Sequence, residues 1–224
     1  MILQNSLFPP ESSWTVPDVF PQFSETETVA IDLETYDPHL MTCGPGWATG
    51  RGHVVGIGVA TKDWEGYFPI RHDGGGNLDE GMVLRWLTKL LSSTKREVVF
   101  HNALYDVGWL RREGVIVKGK ILDTIIAAPL INENRFSYSL DNLGAAYCDE
   151  KKDESLLQDA ALAFGINPKS EMYKLHAKYV GPYGQQDASL TLKLWNKLKL
   201  EIAEQGLEKI LEMESKLIPL LLEM

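Results

Sequence analysis

Thr28-Val29-Ala30-Ile31-Asp32-Leu33-Glu34-Thr35 alternates residue by residue, with Val29, Ile31 and Leu33 on one face and Ala30, Asp32 and Glu34 on the other. Period-two alternation is the pattern of a β-strand, and here two acids one residue apart share a face of it. Burying two like charges in an apolar strand without a cation or partners costs on the order of several kcal/mol. The two carboxylates therefore read as ligands able to reach one hard cation from the same side. An isolated Asp-x-Glu is more often a solvated pair on an edge strand, so the assignment depends on what else the chain supplies.

Outward from this segment the order is strands first, then helices. Residues 53–61 and 64–70 read as strands joined by a Lys62-Asp63 turn, which with the first strand makes a three-strand meander. Between the first and second lies a Gly- and Pro-rich loop, residues 37–52. Residues 78–91 carry Leu84, Leu87, Leu90 and Leu91 at helical spacing, with Asn77 or Asp79 as cap. Residues 97–100 form a short buried strand, 103–112 a helix stopped by Gly114, and 115–121 a further strand. Helices are expected at 123–131, 139–146, 154–164, 169–178 and 182–204. This order predicts an α/β fold, a central mixed sheet flanked by helices with a helical C-terminal part.

Residues 1–26, with Pro9, Pro10, Pro17 and Pro21 among aromatics at no helical period, read as an irregular leader. Residues 27–204 are expected to form one compact domain. The apolar helix of residues 207–224 lacks a Gly cap, and residues 205–224 read as the start of a connection into a further domain.

Composition narrows the function. No apolar run approaches the roughly 20 residues of a membrane span, and no secretory signal opens the chain, so a cytoplasmic protein is expected. Cys43 and Cys148 support neither a disulfide framework nor a zinc site. A net charge of −9 is the reverse of the usual nucleic-acid footprint. That objection lapses if several acids hold divalent cations and a neighbouring domain makes most phosphate contacts. Gly74-Gly75-Gly76 is not a phosphate loop, since no Lys-Ser or Lys-Thr follows it.

Two further constellations join Asp32 and Glu34. Asp106 closes His101-Asn102-Ala103-Leu104-Tyr105-Asp106 directly after a strand, where a βα junction gathers side chains at the carboxyl end of a sheet. The helix dipole explains an Asp in a first turn, but not the His-Asn before it. Tyr183 and Asp187 stand at i and i+4 on a helix expected to open at Pro182, so phenol and carboxylate share a face.

In order, Asp-x-Glu, Asn-x3-Asp and Tyr-x3-Asp resemble the three exonuclease motifs of the DEDD superfamily, in its tyrosine-bearing branch, and most closely the proofreading domain of family A DNA polymerases. The resemblance covers residues 29–199. It implies a ribonuclease H-like fold with a five-stranded mixed sheet, and hydrolysis of the 3′ end of single-stranded DNA with two divalent ions, Mg²⁺ or Mn²⁺. By the same resemblance Asp32, Glu34 and Asp187 hold one ion, Asp32 also holds a second, and Asp106 supports that second ion through water. Tyr183 orients the attacking water, Asn102 and Tyr105 touch the terminal nucleotides, and a polymerase domain follows the chain. Such a pair of ions generates hydroxide, neutralises the scissile phosphate and stabilises the departing 3′ oxygen.

Asp123 resembles a recurrent acid of the family and equally suits a helix cap, and His101 is read as a packed histidine rather than a ligand. Where the family places an apolar wedge after its first motif, Pro38-His39-Leu40 singles out no residue. Two other readings stay open: a ribonuclease D-like exoribonuclease, and an inactive scaffold, against which the presence of all four acids and the tyrosine weighs.

Overall fold

The structure is a computed structural model and describes residues 8–224. Its elements run β1 (Val29–Tyr36), α1 (Leu40–Cys43), α2 (Gly46–Thr49), β2 (His53–Ala60), β3 (Glu65–Pro69), α3 (Glu80–Leu91), β4 (Glu97–Phe100), α4 (Ala103–Arg112) and β5 (Lys120–Asp123). Helices α5 (Thr124–Ile131), α6 (Leu140–Tyr147), α7 (Ser155–Phe164), α8 (Ala177–Glu204) and α9 (Glu208–Leu221) follow, with a 3₁₀ turn at Met172–Lys174 before α8. The described strands form one five-stranded sheet in the order β3-β2-β1-β4-β5. β1, β2 and β3 pair antiparallel, whereas β4 and β5 join parallel to β1.

The alternation in β1 sorts the layers. Val29, Ile31 and Leu33 enter a core with Leu87 and Leu91 of α3 and Val107 and Leu110 of α4. Ala30 faces the other way, into a core with Ala188, Leu190, Leu194 and Leu198 of α8 and Ala127 and Ala128 of α5. The small Ala30 leaves room for a helix on the face that carries the acids. The leader has no helix or strand among its described residues and packs by its rings, Phe20 stacking on Phe68 at 5.8 Å and Trp14 meeting the edge of Tyr67 at 6.2 Å. Residues 1–7 of the expected leader lie outside the described residues. Among the described residues no helix is long and apolar enough to cross a membrane.

Three boundaries differ from the sequence expectation, each for a long-range reason. α8 opens at Ala177, not at Pro182, so Pro182 lies inside it. Proline cannot donate to Lys178 O four residues earlier, and the Ser12 hydroxyl of the leader donates to that carbonyl instead, at 2.8 Å. Consequently residues 169–178 are not a separate helix: Asn167 Oδ1 accepts from Lys169 N and Ser170 N in a turn, and a single 3₁₀ turn follows. The last strand is Lys120–Asp123 rather than 115–121. The β-branched residues before it form a connection, with Val115 buried and Lys118 N donating to Leu91 O. The 37–52 loop contains the single-turn helices α1 and α2.

Candidate active site

Asp32 and Glu34 project from β1 beneath α8, and opposite them in β2 stand glycines, Gly58 against Asp32 and Gly56 against Glu34. The missing side chains let the helix descend: a Cβ on Gly58 would lie 2.2 Å from the carbonyl oxygen of Gly184. Gly184 sits between Tyr183 and Asp187, so this approach carries both over the strand. Oxygens of Asp32, Glu34 and Asp187 come within 4.8 Å of one another.

Asp106 arrives by another route. β4 pairs with β1 only at Val29 and Ala30. Past Phe100 the chain leaves the sheet through Asn102, at φ 82, into α4. Leu33 N–H, left without a strand partner on that side, donates to Asp106 Oδ1 at 3.2 Å. Asp123, at the end of β5, fixes the junction by accepting from Asn102 N at 3.0 Å and Ala103 N at 2.7 Å. Its Oδ1 also accepts from Ile125 N and caps α5, so Asp123 is the cap expected and a clamp on the neighbouring turn as well. His101 Nδ1 meets Thr124 Oγ1 at 2.7 Å, and burial pushes the imidazole down to about 4.

The carboxylates raise one another. Asp32 keeps a partly accessible surface, yet burial, then the Asp187 charge, hold it up at about 7 against the pull of Lys152. Burial followed by Asp32 lifts both Glu34 and Asp106 well above the carboxylate range. Asp187 is raised by burial, with Lys152 opposing, and its buried Oδ1 has no hydrogen-bond partner among the described residues. An all-oxygen cluster with an unpartnered buried oxygen suits a hard divalent cation.

Sequence reasoning missed Lys152. It belongs to the charged run Cys148-Asp149-Glu150-Lys151-Lys152-Asp153-Glu154, which by composition is a solvated loop. In the fold its ammonium lies 2.5 Å from Asp187 Oδ2 and donates to the Tyr183 hydroxyl at 2.8 Å. Among the residues expected to meet substrate, Asn102 is exposed. Tyr105 is half-buried, with its hydroxyl 2.8 Å from Thr35 Oγ1 and donating to Asp37 Oδ2 at 3.1 Å.

The chain has relatives among known proteins. The 3′-5′ exonuclease domain of family A DNA polymerases matches residues 11–203. The chain belongs to that family. A DNA-directed DNA polymerase of Pseudomonas phage M6 is 40% identical over 228 residues, spanning 98% of this chain and 34% of that protein. DNA polymerase DpoZ of Salmonella phage PMBT28 is 30% identical over 212 residues, spanning 92% of this chain and 31% of the polymerase. The chain thus spans about a third of the length of these relatives. In fold it is also similar to ribonuclease D of Escherichia coli, with a TM-score of 0.59 at 15% identity over 88% of this chain and 45% of that one. As an exonuclease-family chain with relatives named as polymerases, it is a nuclease domain.

Proposed function

We propose that this exonuclease domain requires divalent metal, removes nucleotides from the 3′ end of single-stranded DNA, and proofreads for a family A polymerase in a longer cytoplasmic protein. One observation carries the reading: two carboxylates of β1 and one of α8, far apart in the chain, converge within 4.8 Å, beside a tyrosine hydroxyl, in a chain of an exonuclease family. Residues 27–204 form the exonuclease unit on this reading, and 205–224 lead toward the polymerase domain. The polymerase would supply the basic surface that a net charge of −9 denies this chain.

Asp32, Glu34 and Asp187 would hold one Mg²⁺ or Mn²⁺, and Asp32 with Asp106 a second. Bound there, the ions would supply hydroxide from water at neutral pH and neutralise charge on the scissile phosphate. The remaining work falls to the chain. Tyr183, whose oxygen accepts from Lys152, orients the attacking water. Asn102 offers an exposed side chain to the terminal nucleotide, and Tyr105, its hydroxyl tied to Thr35 and Asp37, offers its ring.

The test is digestion of 5′-labelled DNA and RNA single strands of one sequence with Mg²⁺, with Mn²⁺ and with chelator. A 3′-end ladder on DNA is expected only with metal. Digestion in chelator, or none with either ion, would refute the proposal, and faster digestion of RNA would favour the ribonuclease D-like reading. Tyr183→Phe removes one positioning hydrogen bond and should slow single-turnover cleavage by about tenfold. A loss equal to that of a missing carboxylate would contradict a positioning role.

Metal binding should also follow pH. Asp32, held at about 7 in the metal-free chain, stabilises fully below its ordinary 3.8, and that contribution is lost as pH rises through about 7. For this one proton the metal-free chain loses up to about 1.4 kcal/mol per pH unit between those limits. Metal must displace the same proton. The Mn²⁺-induced rise in Tm is therefore expected to be small near pH 5 and large near pH 8. His72 and His101, each pushed by burial to about 4, weaken the fold as pH falls below 6.5. They do so with or without metal and cancel in the difference. Equal Tm increments at both pH values would contradict the assignment of Asp32 as a ligand.

A further inference from the structure

We infer that Lys152 is a tethered counter-cation of the carboxylate cluster, which gives up Asp187 to a divalent ion while keeping Tyr183 as its partner; the inference rests on the metal-dependent reading above.

Three observations place the lysine in that role. Its ammonium bridges Asp187 Oδ2 at 2.5 Å and the Tyr183 hydroxyl at 2.8 Å, and lies 4.4 Å from the centre of the Tyr183 ring. Its side chain is 13% exposed, so the pair is largely withdrawn from solvent, where a lone charge of either sign is costly. The backbone that delivers it is fixed from α8 and from α6. Asp153 N donates to Gln186 Oε1 at 2.8 Å, Gln186 Nε2 donates to Lys151 O at 3.4 Å, and Lys152 N donates to Asp141 Oδ1 at 3.2 Å. Gln186 is the neighbour of Asp187, so the loop is anchored beside the ligand.

A fixed backbone carrying a flexible four-carbon stem can shift its ammonium without moving the loop. The ammonium and a divalent ion would share Asp187, and like charges so close repel. Tyr183 offers the lysine an alternative that no metal requires, a hydroxyl lone pair and a ring face. The acids are thus balanced by Lys152 when no ion is bound, and Tyr183 stays oriented when one is. Lys152 is a positioning residue, and its charge sets the metal affinity of the cluster.

The experiment is calorimetric titration with Mn²⁺ alone, without nucleic acid, of the wild type, Lys152→Met and Lys152→Arg. Removing a charge that competes for Asp187 should tighten the Mn²⁺ dissociation constant of Lys152→Met about tenfold, while Lys152→Arg stays near wild type. Because Lys152→Met can fail to fold, a second measurement uses the wild type only. Reductive methylation of Lys152, read by mass spectrometry, should be slow without Mn²⁺ and several-fold faster with it. Unchanged affinity in a folded Lys152→Met, or labelling indifferent to Mn²⁺, would overturn the exchange. Failure of the wild type to bind Mn²⁺ at all would instead overturn the metal-dependent reading, so the two failures are distinguishable.

Discussion

Asp32→Asn is expected to abolish exonuclease activity by roughly 10³-fold or more while leaving the metal-free protein as stable as the wild type, or more so. The two effects have one cause. Asp32 is raised to about 7 by burial and by the neighbouring Asp187 charge, which means that its ionised form is disfavoured by its surroundings. A neutral side chain of the same shape relieves that at pH 8, where the wild-type group is ionised, and a gain of a few degrees in Tm in chelator follows. The same substitution removes an oxygen ligand from a cluster whose members lie within 4.8 Å of one another. Several kcal/mol of transition-state stabilisation go with it, at about 1.4 kcal/mol for each tenfold in rate. Single-turnover cleavage and thermal melting in chelator read the two arms. A variant that cleaves within tenfold of the wild type would remove Asp32 from the site. One that melts far below it in chelator would show that Asp32 holds the fold together rather than straining it.

What the sequence made legible was local. The alternation in β1 showed which of its residues face which layer, and the βα junction at Asp106 and the turn of helix from Tyr183 to Asp187 were readable from spacing alone. Periodicity is a property of a few adjacent residues, and these motifs need nothing else. The illegible parts depended on partners far along the chain. Pro182 was expected to open a helix because nothing nearby says that Ser12 satisfies the carbonyl it strands. The run Val115-Ile116-Val117 has strand composition, yet β5 begins only at Lys120, where pairing with β4 begins at Glu97. Lys152 carries no spacing or motif that sets it apart from the other charges of its run, and only the docking of that loop on α8 turns its ammonium to Asp187. Asp123 suited a helix cap and a family acid equally by sequence, and the fold shows the cap together with a clamp on the neighbouring turn.

The same dependence on close approach makes Gly58→Ala the second large effect. Glycine within a strand ordinarily weakens it, so without its context the substitution would be read as stabilising. Here the added Cβ would stand 2.2 Å from Gly184 O, a backbone atom within α8, and 3.3 Å from the Ala188 Cβ. Neither neighbour is the end of a flexible side chain that can step aside. Next to Gly58 in the sheet, its β3 partner Tyr67 also lies against Gly184, whose own Cβ would meet the ring at 2.7 Å. Tyr67 is fully buried and hydrogen-bonded to His72 at 2.8 Å, so that side does not yield either. The helix must therefore lift from the sheet, at an overpacking cost of about 1–3 kcal/mol. For a chain of this size that corresponds to roughly 2–12 °C in Tm. Asp187 and Tyr183 ride on the lifted segment, and a displacement near 1 Å at a hydrolytic centre costs on the order of 10²-fold in rate. Mn²⁺ affinity should fall with it, since Asp187 recedes from Asp32 and Glu34. Full activity in Gly58→Ala, with an unshifted melting curve, would mean that the contact between β2 and α8 is not what sets the spacing of the carboxylates.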